Sequence, residues 1–541
     1  MPSWIRSFAV VVLLSACASG RLRNAATSAL VAADAAVLEG CYDCLLRARD
    51  AYDQLATSKY VNRDSVAIRR FETQLLIVLR QKELALDWTH AFERAKALAA
   101  DVPASAGSKR LLRIADAVLP DAVGHVERQR GNAADAARVP ADIAWLDSSA
   151  VRNVVKQYLA LALDCSYDGR VLAPTRQPGA SQRRPVLQPG AAPIVVYRTG
   201  ICMSADTNML AAVLAQLPNY AEAAYYSGSA QAFFAEVDGG ERAGAMLRQA
   251  YARFPRSPSV TFMSAWLAME IGDCPTALRL YDETLAIEPT HEVAMLQGTI
   301  CLSRTKQDSQ ALTRATRLLA LDGELMQPAY YWRALSRYRL KDTTGARSDI
   351  EAAKSLDRDA NALTLAGIIE NDQGEIALAE QDLRAARMLP RGDQNCTAAW
   401  TLGLVLAKTD RHEETADAFE SAAYCYDVAA ARVGLMMRRT REQPSRNQAY
   451  TNRRLESLAR DSSEQQTRYH LAALNAAGFR ANTGQLGRAT ELLDIAARDS
   501  RLAEQVDAMR KAVAALRPVT ATCARATCTP QTPRARSSRP R

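Results

Sequence analysis

Residues 258–290 read PSVTFMSAWLAMEIGDCPTALRLYDETLAIEPT, and residues 360–391 read ANALTLAGIIENDQGEIALAEQDLRAARMLPR. Laid over each other, Ala265 meets Gly367, Gly272 meets Gly374, Ala277 meets Ala379, Tyr281 meets Leu383 and Thr284 meets Ala386. The two stretches lie three periods of about 34 residues apart, a spacing typical of helical-hairpin repeats. Working outward, the unit from Gln327 offers Ala334, Ala346, Ile350 and Ala353, and the unit from Cys396 offers Gly403, Phe419 and Ala422. Weaker units start near Ala224 (Ala243, Leu247, Ala250, Pro255), Glu292 (Ala311, Ala315) and His470 (Ala477, Gly484, Ala489, Leu493, Ala496). Counting Pro258 or Ala360 as position 1, small residues at positions 8, 20 and 27 let two antiparallel helices approach closely, and a large apolar residue at 24 fills the space between units. Gly near 15 and Pro near 32 end the helices and turn the chain. One such hairpin cannot bury its apolar face alone, so the units must stack.

This pattern resembles the tetratricopeptide repeat. The resemblance implies an all-α fold, a right-handed α-solenoid of helix-turn-helix repeats, over about residues 220 to 500. The solenoid region is taken as 202–517, with a closing helix at Leu502–Leu516 and degenerate units between Cys425 and Arg460. Residues 17–165 also read as helical, with Ser65–Gln81 and Trp88–Ala99 in helical apolar spacing and Gly40 and Tyr42 resembling a repeat turn. Residues 166–201 are rich in Pro, Gly, Arg and Gln and are expected to form a loop or linker. The basic tail 518–541 is expected to be disordered.

Composition agrees with a helical, folded chain of 541 residues. Alanine and leucine abound, while aromatic residues reach only 6%, which favours helix because unbranched side chains lose little freedom there. The net charge of +9 suggests nucleic acid until its placement is read. Arg525, Arg534, Arg536, Arg539 and Arg541 crowd the tail and Arg6 lies near the start; without these six the chain stands at +3. No basic groove for a polyanion follows.

At the N-terminus a short basic segment precedes the apolar run Phe8–Leu14 and then Leu14-Ser15-Ala16-Cys17. The order is that of a secretory signal at 1–16, too short to span a bilayer. The last four residues resemble the lipobox of bacterial lipoproteins, which implies cleavage before Cys17 and lipidation of its thiol. Several acyl chains anchor stably, since each buried methylene contributes about 0.8 kcal/mol. Ala18 in place of aspartate points to the outer membrane, facing the periplasm. The alternative is an ordinary cleaved signal with a chance cysteine.

Ten cysteines remain beside Cys17, an even number in a compartment that permits disulfides. Antiparallel hairpin ends bring Cys396 near Cys425, and Cys274 near Cys301. Cys165 and Cys202 bracket the irregular stretch, and Cys41 with Cys44 and Cys523 with Cys528 are close in sequence. Cys41-x-x-Cys44 also fits a redox or metal motif, but no second CxxC or histidine cluster accompanies it and no thioredoxin-like strand–helix context surrounds it. Free buried cysteines are the other alternative.

No catalytic signature emerges. His412-Glu413-Glu414-Thr415-Ala416 lacks the second histidine of a zinc-protease helix, and GxSxG, GxxxxGK[ST] and GxGxxG patterns are missing. No metal, cofactor or small-molecule substrate is indicated. The repeat resemblance places a peptide groove on the first helices, at positions 2, 5, 9, 12 and 13. Here these are Phe262, Trp266 and Met269, then Leu296, Ile300 and Arg304, then Tyr331, Leu335, Tyr338 and Arg339, then Ile368 and Asn371, and finally Trp400, Leu404 and Lys408. Some of these side chains are alternatively packed between helices. The expected function is a membrane-anchored, non-enzymatic scaffold that binds envelope proteins through apolar anchors. The competing expectation is a cell-wall-associated enzyme or accessory factor whose basic tail touches anionic polymers.

Overall fold

The computed structural model describes residues 3–103, 107–118, 138–167, 190–202, 206–234, 239–390, 392–442 and 448–516. These form 24 α-helices and no strand. None of the described helices is long and apolar enough to cross a membrane. The side chain of Cys17, most of the stretch 166–189, and the tail with Cys523 and Cys528 lie outside the described residues.

The chain divides into two compact units, 1–358 with 432–461, and 359–431 with 462–541. Unit 1 begins with α1 (Ser3–Glu39), α2 (Tyr42–Leu55), α3 (Arg63–Glu83), α4 (Thr89–Leu98), α5 (Ser108–Ala117), α6 (Val139–Ser148), α7 (Asn153–Tyr167), α8 (Pro193–Cys202) and α9 (Thr207–Gln216). Helix pairs follow: α10 (Ala221–Phe234) with α11 (Gly239–Arg253), α12 (Pro258–Glu270) with α13 (Cys274–Ile287), α14 (Glu292–Arg304) with α15 (Asp308–Leu319), and α16 (Met326–Arg339) with α17 (Thr343–Leu356). Unit 2 pairs α18 (Ala360–Asp372) with α19 (Ile376–Met388) and places α20 (Cys396–Leu406) beside α19. The long helices α21 (His412–Glu442) and α22 (Gln448–Asn482) follow, then α23 (Leu486–Ala496) and α24 (Ala503–Leu516).

Recurring local devices cut the pairs to length. Before four of the first helices a side chain caps the helix: Ser257 Oγ, His291 Nδ1, Asp359 Oδ1 and Asn395 Oδ1 each accept a first-turn backbone N–H, whereas Leu325 before α16 does not. Position 15 then takes a left-handed conformation in four successive units, at Gly272 (φ +83°), Lys306 (+59°), Lys341 (+69°) and Gly374 (+80°). The next residue closes the helix end in every case. Asp273, Gln307, Asp342 and Glu375 donate their N–H to the carbonyls of Ala268, Leu302, Arg337 and Glu370 at 2.8–2.9 Å. This 6→1 bond satisfies a carbonyl that the helix leaves open. The small residues Ala265, Ala277, Ala334, Ala346, Ala379 and Ala386 are fully or almost fully buried, as hairpin packing requires.

Two sequence expectations change. The irregular stretch 166–201 is shorter, because α7 continues to Tyr167 and α8 takes up its end. Pro193 starts α8, where its missing N–H costs nothing, and Ile194, Val195 and Tyr197 are buried. Ten residues behind a Pro- and Gly-rich segment hold too few turns for a periodic signal. The degenerate units between Cys425 and Arg460 are not repeats either. They are the ends of α21 and α22, 31 and 35 residues long. The facing ends, 432–461, belong to unit 1, where Arg454 Nη1 donates to the Glu270 carbonyl at 2.7 Å and Ser457 lies against Gly272.

A buried polar cluster ties the N-terminal helices of unit 1 to its repeats. Arg80 on α3 has no exposed side-chain surface. Its Nη1 donates to Glu83 Oε2 at 2.8 Å, its Nη2 to the Gly40 carbonyl at 2.9 Å and to the Tyr220 hydroxyl at 3.1 Å, and its guanidinium lies 4.0 Å from the Tyr197 ring centre. Arg198 of α8 donates to Glu83 Oε1 at 2.9 Å, the Tyr158 hydroxyl also donates to Glu83, and Glu222 of α10 lies 3.5 Å from Arg80 Nε. Two guanidiniums thus face two carboxylates. Buried ions persist only when paired and hydrogen-bonded in this way. A second cluster joins α1, α2, α3 and the residue before α7, where Asp34 accepts from Arg69, Tyr52 and Arg152.

Three disulfides stand among the described residues: Cys41–Cys44, Cys274–Cys301 and Cys396–Cys425. The second joins the start of α13 to the end of α14, and the third joins α20 to α21. Cys202 is also disulfide-bonded, while the side chain of Cys165 lies outside the described residues.

Candidate peptide groove

In unit 1 consecutive first helices touch one another, α10 with α12, α12 with α14, and α14 with α16. Their equivalent positions therefore form rows. Position 9 supplies Trp266, Ile300 and Leu335, all half-buried, and Tyr331 and Tyr338 of α16 are half-buried as well. Position 13 supplies Glu270, Arg304 and Arg339, all exposed. Apolar and aromatic side chains with part of their surface open thus run beside an edge that turns cationic from α14 onward.

Three of the residues expected in this groove belong to the core instead. Phe262, Met269 and Leu296 are buried. Phe262 stacks on His291, 4.9 Å between ring centres, and packs beside Tyr281. Tyr281 fills position 24, so the ring at position 5 of the same unit is drawn inward to meet it. Met269 lies under the Tyr281 hydroxyl at 3.8 Å. Positions 5 and 12 therefore contribute packing in this unit, not a surface.

The cationic edge is held in place. Arg339 Nη1 donates to the Ser303 carbonyl and Oγ, both at 2.9 Å, and to Asp308 at 3.2 Å, which pins it across the turn between α14 and α15. Arg333 and Arg337 of the same helix point elsewhere, both pairing with the buried Asp349 of α17. At α12 the edge is met by the chain's own α22 through Arg454 and through Arg453, which lies 3.4 Å from Asp273. The open part of the edge consequently begins at Arg304.

In unit 2 the expected residues sit on α18, α20 and the turn after α20. Ile368 and Asn371 are half-buried, and Leu404 and Lys408 are exposed. Trp400 packs edge-on against Phe419, 5.3 Å between ring centres. Lys408 Nζ donates to the Asn371 carbonyl at 3.1 Å, so this cation crosslinks two first helices.

Features beyond the sequence-based expectation include a cavity of about 610 Å³ in unit 1 between the second helices α13 and α15. Its floor is Met295 and Leu302 of α14, and Asp282, Arg314 and Arg317 line it. Met295 and Leu302 carry no position-specific signature, which is why the repeat pattern does not mark them. Among the described residues no group of three His, Cys, Asp or Glu side chains is placed to hold a metal ion. His412 stands at the start of α21 with its ring 5.7 Å from that of Phe479.

No family model and no curated protein matches the sequence. Solved structures do match. YrrB, described as a TPR protein with an unusual peptide-binding site, shares 16% identity over 33% of this chain and 91% of its own, with a TM-score of 0.28. MamA shares 17% over 31% of this chain and 96% of its own, with a TM-score of 0.27. A tetratricopeptide repeat protein from Parabacteroides merdae shares 14% over 54% of this chain and 99% of its own, with a TM-score of 0.31. On their helix pairs, caps and position-specific packing, the described residues form an all-α fold whose hairpins from Pro258 onward are tetratricopeptide-like.

Proposed function

We propose that the first helices of unit 1 bind an extended or helical segment of a partner protein, with large apolar side chains seated along Trp266, Ile300, Tyr331, Leu335 and Tyr338. The observation that carries this reading is the row of half-open apolar and aromatic side chains beside the exposed Arg304 and Arg339. Apolar anchors supply most of the affinity of such a contact. Charge complementarity selects the partner further: a carboxylate next to the anchors meets Arg304, and a cation there is repelled. In this reading the groove serves as a docking surface of a scaffold.

The same proposal places the scaffold at the cell envelope, tethered through Cys17 and facing the periplasm. Its support is the order of residues 1–17 and the disulfides, which suit an oxidising compartment.

The groove is tested by panning a random peptide library on the mature protein. Enriched peptides are expected to carry two or more large apolar residues flanked by acids. They are expected to bind a Trp266→Ala, Tyr331→Ala, Tyr338→Ala variant at least tenfold more weakly, with its circular dichroism unchanged. Full binding by that folded variant overturns the groove. The anchor is tested separately by fractionation: Cys17→Ser is expected to move the protein from membranes to the soluble fraction, and unchanged membrane association rejects lipidation.

A further inference from the structure

The Cys41–Cys44 disulfide differs from both repeat disulfides in the shortness of its loop and from Cys274–Cys301 in exposure, while Cys396–Cys425 also joins a partly open cysteine to a buried one. Cys41 is the N-cap of the 14-residue helix α2, and its Sγ accepts the backbone N–H of Cys44 at 3.1 Å. Cys44 is buried, at 2% exposure, whereas Cys41 is partly open to solvent. Arg47 Nη2 lies 3.4 Å from Cys44 Sγ. Asp43, the one acid between the two cysteines, is paired with Arg253. By contrast, Cys274 and Cys301 are both buried, at 6% and 0% exposure. They close a chain separation of 27 residues, against 3 for Cys41 and Cys44. A disulfide across so short a loop restricts the unfolded chain least, so it contributes least to stability in the chain-entropy model.

We propose that Cys41–Cys44 is a thiol–disulfide exchange site, taking thiols of a partner protein as its substrate. The asymmetry of exposure sets the direction of attack. An incoming thiolate reaches Cys41 Sγ and forms a new S–S bond to it. The Cys41–Cys44 bond breaks, and its electron pair leaves on Cys44 Sγ. The departing thiolate is held by the Arg47 guanidinium and by the N-terminal turn of α2, whose partial positive charge favours an anion. A second thiol of the same partner, deprotonated, then attacks the partner sulfur of the mixed disulfide and releases Cys41 as a thiolate. The partner dithiol is oxidised by two electrons to a disulfide, and Cys41 and Cys44 are reduced to thiols with the two protons. The exchange is stoichiometric, one partner disulfide for each chain.

Sequence context gave this motif no redox setting, since no strand precedes it. Reactivity depends on thiolate stabilisation and access to one sulfur, not on a particular fold, and the N-terminal turn of α2 supplies both.

The test uses the full mature protein and glutathione buffers of graded ratio, with thiols trapped by a maleimide and located by peptide mass spectrometry. Cys41–Cys44 is expected to equilibrate with glutathione while Cys274–Cys301 and Cys396–Cys425 stay oxidised and circular dichroism is unchanged. If all three open together, or Cys41–Cys44 opens only with loss of helix, the bond is a structural staple and the proposal is overturned. Single variants check the direction independently. Cys44→Ser is expected to form a mixed disulfide with oxidised glutathione at Cys41 at least tenfold faster than Cys41→Ser does at Cys44. Equal rates, or a faster Cys44, reject Cys41 as the attacked sulfur.

Discussion

Gly403 on α20 lies against the ring of Phe419 on α21: a Cβ at 403 would stand 2.7 Å from ring Cε1 and 2.8 Å from Cδ1. Position 8 and position 24 of the unit are thus one contact, and the same holds for Gly367 and Leu383, where the distance would be 2.6 Å. Phe419 is held on its other sides by Phe479 and Trp400, so it has little room to move. Gly403→Ala is therefore expected to lower stability by about 1–3 kcal/mol, the usual range for an overfilled core. Phe419→Leu in the same chain is expected to recover part of that loss. Denaturant melts of the two singles and the double give the coupling; additive losses would show that the two positions do not share one space.

In the four successive units from Pro258 the left-handed position 15 is glycine in two and lysine in two. Lys306 and Lys341 hold φ of +59° and +69° with exposed side chains. A residue with a Cβ is strained there by roughly 1–2 kcal/mol, against which glycine loses some chain entropy. Lys306→Gly and Lys341→Gly are each expected to stabilise unit 1, by about 0.5–1 kcal/mol net. A lower melting temperature for either would mean that the lysine side chain makes a contact worth more than the strain.

Arg80 and Glu83 are both buried and both multiply bonded, at the junction of α3, α8 and α10. Arg80→Met leaves Glu83 with Arg198 alone and takes from Glu222 the guanidinium beside it, and is expected to cost about 3–5 kcal/mol. Glu83→Gln is expected to be milder than Glu83→Leu, because the amide still accepts from Arg198 or Tyr158. Urea melts followed by near-ultraviolet circular dichroism report this directly, since Tyr158, Tyr197 and Tyr220 lie in the cluster. Loss of signal confined to the N-terminal helices, with the repeats intact, would show that the junction is not required by the repeats.

Acid is expected to weaken unit 2 through Glu420. Burial by itself pushes this carboxyl upward, but hydrogen bonds from Arg488 and Arg480, together with their charges, outweigh burial and hold it below the ordinary 4.5. A depressed carboxylate stabilises the fold fully above its unfolded value, and that contribution is lost as pH falls through the folded value. Stability is expected to be flat above about pH 5 and to decline below it. Glu420→Gln is expected to be less stable at neutral pH and to lose less on acidification. Parallel acid limbs for the two proteins would assign the decline to other carboxylates.

The repeats were legible in the primary structure because their determinants are short-range. Positions 8, 15, 20, 24 and 27 meet within one hairpin, so Ala265, Gly272, Ala277 and Tyr281 carry their reason a few turns apart in the chain. The pairings Cys274–Cys301 and Cys396–Cys425 follow from the same antiparallel geometry. The caps at Ser257, His291, Asp359 and Asn395 were equally local and are visible once position 1 is placed. Burial along the groove was a different kind of question. Whether Phe262 faces outward or inward depends on Tyr281 and on His291 of the next unit, and a repeat pattern assigns both the same position either way. The junction around Arg80 lies further still from sequence reasoning, because its partners Gly40, Arg198, Tyr220 and Glu222 are 40 to 142 residues away. Local spacing specifies which helices form and how each hairpin closes; which face of a helix stays open, and which charges can be buried together, is decided only when distant helices remove the water between them.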